Sequence, residues 1–290
     1  MSQSVRPVAR VVTPEPVVEG AGVRLRRSLG TRALDYLDPF LLLDHFESAE
    51  PADYEAGFPY HPHRGIETVT IVRRGEIAHG DSLGHRGTIG AGDIQWMTSG
   101  SGILHEEMPQ VRKEGIAGLQ LWLNVPAREK MGRPRYRDLP GDRLTETEVD
   151  GGARLRVIAG EAAGGRLVGP VEGLAVAPKF LDVTLPAGAV VREAVPRGHT
   201  AFAYVDQGEV AFGAERTPVR APGLVVFGDG DLVEAVAGAA GGRFLLAAAR
   251  PLHEPVARYG PFVMNTRAEI EQTLEDLRSG RFIRDEPRDA

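Results

Sequence analysis

The stretch that decides the fold is residues 60–82, "YHPHRGIETVTIVRRGEIAHGDS". From Ile66 to Arg74 it alternates β-branched and polar residues, pauses at a tight Gly75-Glu76 pair, and resumes in "IAHGD". Short runs of this kind, punctuated by Gly and Asp, read as strands joined by turns. Similar runs recur in "AGDIQWMTSG", "GLQLWLNVP", "ARLRVIAGE", "KFLDVTLPAGAVV" and "PGLVVFGDGDLVEAVA". The 36 glycines and 21 prolines separate them, which is the spacing of a barrel or sandwich rather than of alternating helices and strands.

The pattern occurs twice. "TIVRRGEIAHGDS" (70–82) has a counterpart in "AYVDQGEVAFGAE" (203–215), and each copy is followed by a small-residue turn that launches another strand. A repeat at this distance predicts a duplicated β-barrel. The polar stretch "YRDLPGDRLTETEVDGG" (136–152) reads as the connection between copies. The expected domains are 1–138 and 153–255, with a linker at 139–152 and a tail at 256–290. In that tail Thr266 and Glu269 form a capping box ahead of Ile270, Leu274 and Leu277, and Gly280 follows as a stop. This predicts an amphipathic helix over 267–278.

Bulk properties bound the function. The 290 residues, 42% hydrophobic, are enough to bury a substantial core. The formal charge of -6 offers no general field for a phosphate backbone, so direct nucleic-acid binding is not expected. There is no cysteine, so thiolate ligands and cysteine nucleophiles are excluded. No run approaches a membrane helix and the N-terminus has no signal-peptide core, so a cytoplasmic protein is expected.

Histidine is distributed unevenly: six of the eight lie between residues 45 and 105. In an extended segment, which Pro62 favours, His61 and His63 project from one face, about 6–7 Å apart along the strand. In "SGSGILHEEMP" (99–109), His105 and Glu107 share the same i, i+2 spacing. Two such strands facing each other would supply three imidazoles and a carboxylate, a set suited to Fe(II), Mn, Ni, Cu or Zn with positions left open. His199 and His253 have no such partner, so only the first barrel is expected to do chemistry.

The order Gly57, His61-Pro-His63, Glu67, Gly75, Gly92, Gly100 and His105 resembles the two motifs of the cupin superfamily. "DPFLLLDHF", "HPHRGIETVTIV", "GDIQWMTSGSGILHEEMP", "GLQLWLNVP", "PRY" and "GPFVMNT" together resemble the pirin family across almost the whole chain. That resemblance implies an all-β bicupin: two stacked jelly-roll barrels with a C-terminal helix, and a metal, usually iron, in the first barrel alone. It implies His61, His63, His105 and Glu107 as ligands. Glu67 is the rival carboxylate, because it fills the general cupin position and shares strand parity with His63. The resemblance further implies a quercetin 2,3-dioxygenase acting on a flavonol and O2, with Glu107 as ligand and base. Its alternative is an iron-containing regulator that binds a transcription factor or metabolic enzyme. Of the remaining histidines, His45 reads as buried, and His79 and His85 as solvated near a turn.

Overall fold

A computed structural model describes residues 3–149 and 151–284. It is an all-β chain with one α-helix among the described residues, and its contacts divide it into two compact units. The strands up to residue 139 are β1 (Val8–Val12), β2 (Glu15–Glu19), β3 (Val23–Leu29), β4 (Phe40–Ser48), β5 (Phe58–His63) and β6 (Ile66–Arg74). They continue as β7 (Glu76–Asp81), β8 (Arg86–Gly90), β9 (Ile94–Thr98), β10 (Ile103–Pro109), β11 (Ile116–Asn124) and β12 (Arg135–Leu139).

The unit with the histidines runs from Glu15 to Asp142 and is completed by the segment from Leu252 onward. Its seven-stranded sheet has the order β12-β9-β6-β11-β4-β3-β2, and its four-stranded sheet the order β5-β10-β7-β8. Two of the crossings between these sheets are made at single glycines. Gly75 takes φ +80 and passes β6 into β7; Gly65 takes φ +76 and passes β5 into β6. At Gly65 a Cβ would collide with the Val263 carbonyl, so both backbone sign and space require glycine there.

The other unit comprises the residues through Pro14 and Arg143–Pro251. Here the expected boundary is corrected, because β1 pairs antiparallel with the strand Gly223–Phe227. Nothing local in "VARVV" reveals that distant partner. The polar stretch at 136–152 is also not a bare linker. It contains β12, at the edge of the seven-stranded sheet, and the strand Thr145–Val149, at the edge of a nine-stranded one. Edge strands tolerate charge because one side meets water, so polarity concealed them.

The second unit repeats the strand-switching device. Thr200–Phe212 is a single strand bent at Gly208, φ +70, with its ladder register broken there. Its interior, however, is filled: Leu155, Val183, Phe212, Phe227 and Phe244 belong to one buried apolar cluster.

Helix α1 spans Arg267–Arg278, and Thr266 with Glu269 forms the expected reciprocal capping box. Its buried side is Ile270, Thr273 and Asp276 rather than an apolar stripe, and Leu277 is exposed. The reason is Arg64, which is buried. Arg64 donates from Nε to the Ser101 carbonyl at 2.6 Å, and from Nη1 to Thr273 Oγ1 at 3.1 Å and Asp276 Oδ2 at 2.8 Å. Burial opposes ionisation of Asp276, but the bonds from Arg64, Gln272 and Arg284 prevail and hold its carboxyl down to about 2. Replacing Asp276 by Ala leaves a buried guanidinium unpaired. Denaturant unfolding of Asp276→Ala is expected to show a loss of about 3 kcal/mol, against less than about 0.5 kcal/mol for the exposed Glu271→Ala.

Candidate metal centre

Two local features of β5 set up the site. It is the edge strand of its sheet, so Pro59 and Pro62, which lack an N–H, leave no ladder bond unmade on the open side. It pairs antiparallel with β10 so that His61 faces His105 and His63 faces Ile103, with a register shift before Glu107, which faces Phe58. The extra β5 residue in that bulge re-aims side chains at the barrel interior.

The three imidazoles converge. Their ring centroids are 4.9 Å (His61–His63), 4.4 Å (His61–His105) and 5.0 Å (His63–His105) apart. One ring nitrogen from each lies within 4.8 Å of the others, and no further group of three or more potential ligands occurs among the described residues. His61 Nδ1 lies 2.9 Å from the Pro59 carbonyl, which can only accept; a proton on this nitrogen fits that contact and leaves Nε2 as the nitrogen that could face an ion. That Nε2 is 3.1 Å from His63 Nε2. Two nitrogens bound to one ion at about 2.1 Å, with angles between square and tetrahedral, would stand about 3.0–3.4 Å apart. The spacing fits a metal edge.

The electrostatics agree. Burial drives His63 and His105 well below the usual imidazole range, and the neighbouring histidines push them further down. Both are neutral donors at neutral pH, the form that binds a metal. Both ring nitrogens of His105 are buried without a hydrogen-bond partner. A buried orphan of this kind calls for a ligand, and an ion would satisfy it.

The two carboxylates separate cleanly. Glu107 is buried at 4% exposure, and it accepts from Thr70 Oγ1 at 3.1 Å and from Gln120 Nε2 at 3.0 and 2.8 Å. Its oxygens lie outside the tight histidine group, parked against β6 and β11. Glu67 is on the other face of β6. It accepts from Trp96 Nε1 at 3.0 Å and Thr98 Oγ1 at 2.8 Å, and burial raises its pKa. The parity argument that made it a rival ignored the turn at Gly65: counting through a strand break shifts the phase by one and exchanges the faces.

Two further expectations are corrected. His79 is buried and stacks on Tyr136 at 5.1 Å; His85 stacks on the same ring at 5.7 Å and bonds Asp81 at 2.7 Å. Neither is simply solvated, because β7 and β8 fold over the barrel wall at β12. Sequence reasoning missed Thr70 and Trp122. Trp122 meets His63 edge-on at 5.1 Å and, with His61, His63 and Gln120, lines a cavity of about 520 Å³.

Fold and site together define a two-barrel cupin protein in which one barrel carries a three-histidine group and the other is packed solid. Sequence profiles agree: Pirin matches residues 22–123, and the Pirin C-terminal cupin domain matches residues 180–283. The chain belongs to the pirin family. It is 44% identical to a pirin-like protein of Caulobacter vibrioides over 96% of this chain and 99% of that one. It is 41% identical to human pirin, over 91% and 89% respectively. A crystal structure of quercetin 2,3-dioxygenase from Acinetobacter baumannii superposes with a TM-score of 0.87 at 32% identity, covering 96% of this chain and 99% of that one.

Elemental analysis of protein purified without added metal is expected to find about one transition ion per chain, lost in His105→Ala and retained in Glu67→Gln. A pH dependence follows for chelated protein. Unfolded imidazoles titrate near about 6.5, whereas folded His63 and His105 titrate below that. The unfolded chain thus binds the extra protons, and the contribution of these two groups to stability rises with pH up to about 6.5 and is level above it. Melting temperatures at pH 5.5 and 7.5 are expected to differ less in His105→Asn than in the unsubstituted chain.

Proposed function

We propose that the first barrel is a metal-dependent dioxygenase of the quercetin 2,3-dioxygenase type, in which His61, His63, His105 and Glu107 hold one ion, iron by family resemblance. The observation that carries this reading is the convergence of His61 with the buried, neutral imidazoles of His63 and His105, beside a buried carboxylate and a cavity of about 520 Å³. That volume is within the range of about 300–1,000 Å³ usual for small-molecule sites. The superposition with the Acinetobacter baumannii enzyme supports the substrate class.

The reaction takes a flavonol and O2 to a ring-opened ester and carbon monoxide. When bound, the ion supplies Lewis acidity and a template for the substrate's 3-oxygen. The protein's own groups do the rest. Glu107 takes the proton of the 3-hydroxyl; Thr70 and Gln120, which now bond its carboxylate, orient it for that transfer. Trp122 and Phe58 wall the cavity with aromatic surface, which receives a flat ring and limits water at the reacting carbon atoms. The Pro59 carbonyl keeps His61 in the tautomer that presents Nε2.

Oxygen uptake and carbon monoxide release on addition of quercetin test this reading. The unsubstituted protein is expected to consume O2, His61→Ala to fall to background, and Glu107→Gln to lose about 10²-fold or more in kcat. Equal inactivity of the protein and His61→Ala, with metal present in the former, would overturn it in favour of a regulator acting through a protein partner.

A further inference from the structure

Two arginines stand on the wall of the cavity above the histidines, and their bonding differs. Arg27 is committed: Nε and Nη2 donate to the two Asp44 oxygens at 2.7 and 2.8 Å, and Nη1 donates to Glu19 at 2.7 Å. Its charge is spent within the wall. Arg258 donates only to backbone carbonyls, Leu41 at 3.3 Å and Gly260 at 3.5 Å; among the described residues it forms no ion pair, and Asp35, Asp44 and Glu19 act on it only at longer range. Both contacts are long, and its Nη2 has no acceptor among the described residues.

The unspent guanidinium is nonetheless well positioned. Its Cζ lies 5.2 Å from the centroid of the Trp122 ring, the same indole that meets His63. A cation over an indole face is held in orientation without using its N–H donors. Arg258 belongs to the hairpin of Ala257–Tyr259 and Phe262–Met264. That hairpin is fastened: Val263 donates to the Arg64 carbonyl at 3.1 Å, and buried Lys130 donates to the Val263 carbonyl at 3.0 Å. Arg258, Trp122, His61 and His63 all line one cavity. A flat ligand with its reactive oxygen at the histidines would pass Trp122 and end under the guanidinium. A planar fork of donors matches a carboxylate or an ionised phenol, and gains nothing from a hydrocarbon edge.

We propose that Arg258 selects ligands with an anionic oxygen at the end of a planar aromatic frame remote from the histidines, so that acidic aromatic compounds are the substrate class. The chemistry rests on the dioxygenase reading, whereas the binding preference does not depend on turnover.

Fluorescence titration of metal-loaded protein with three probes separates these. The probes are 3-hydroxyflavone, its 4′-carboxylate, and its 4′-hydroxyl analogue taken from pH 7 to pH 9. The carboxylate is expected to bind about tenfold or more tightly than the neutral probe, and the 4′-hydroxyl probe to gain affinity as it ionises. In Arg258→Gln the advantage of the anions should fall below about twofold with neutral binding unchanged, and Arg258→Lys should restore part of it. An unchanged preference in Arg258→Gln, an equal loss for all three probes, or no preference in the unsubstituted protein would overturn the proposal. Discrimination among the probes without oxygen uptake on quercetin would sink the dioxygenase reading and leave Arg258 as the anion reader. Uptake without discrimination would do the reverse.

Discussion

Everything at the metal centre depends on the pairing of β5 with β10. Antiparallel register sets His61 opposite His105, and the two-residue repeat then brings His63 and Glu107 to the same side. A slip of one residue by β5 along this ladder would turn His61 and His63 out of the barrel and leave His105 and Glu107, held on β10 by β7, without them. The ladder is secured from both ends of the chain segment. Gly65 ends β5 in a turn that only glycine fits, and Arg64 reaches from that turn into helix α1. The helix therefore does more than cover an edge. It fixes the residue that follows a candidate ligand.

Much of this was legible in the sequence, because parity is a local property. The i, i+2 spacings of His61/His63 and His105/Glu107 needed only the assumption of extended chain, and the capping box marked the helix start to the residue. Inference failed where a local signal had to be carried across a break or to a distant partner. Glu67 shares parity with His63 only if Gly65 is counted as strand. The residues of β12 and of Thr145–Val149 looked like linker because edge strands are polar. Thr70 carries no motif; it matters because it is the register partner on β6 of Gln120 on β11, and both meet Glu107 from the opposite sheet. Arg258 lies more than 190 positions beyond His63 in the chain, and no periodicity connects them.

The two barrels show what duplication leaves free. Both retain a strand bent at a positive-φ glycine, Gly75 in one and Gly208 in the other. In the second, the interior positions hold Val, Leu and Phe, whose burial stabilises the unit by about 1.5–3 kcal/mol for each large side chain. In the first, the interior keeps His61, His63, His105, Glu107, Thr70 and Gln120, and surrenders that packing to hold a polar constellation. One copy is filled with apolar side chains, while the other keeps its polar groups around a cavity.

Each unit is assembled from two separated pieces of chain, and this orders events during synthesis. The histidine barrel lacks its hairpin and helix until the segment beyond Leu252 has left the ribosome. Until then Arg64 has no Asp276 to meet, and the turn after His63 is unsupported. The histidine barrel is accordingly complete only at the final stage of translation, when the intervening unit has already emerged. A premature stop within the hairpin or helix α1 would strip support from the earliest-made barrel rather than from the latest.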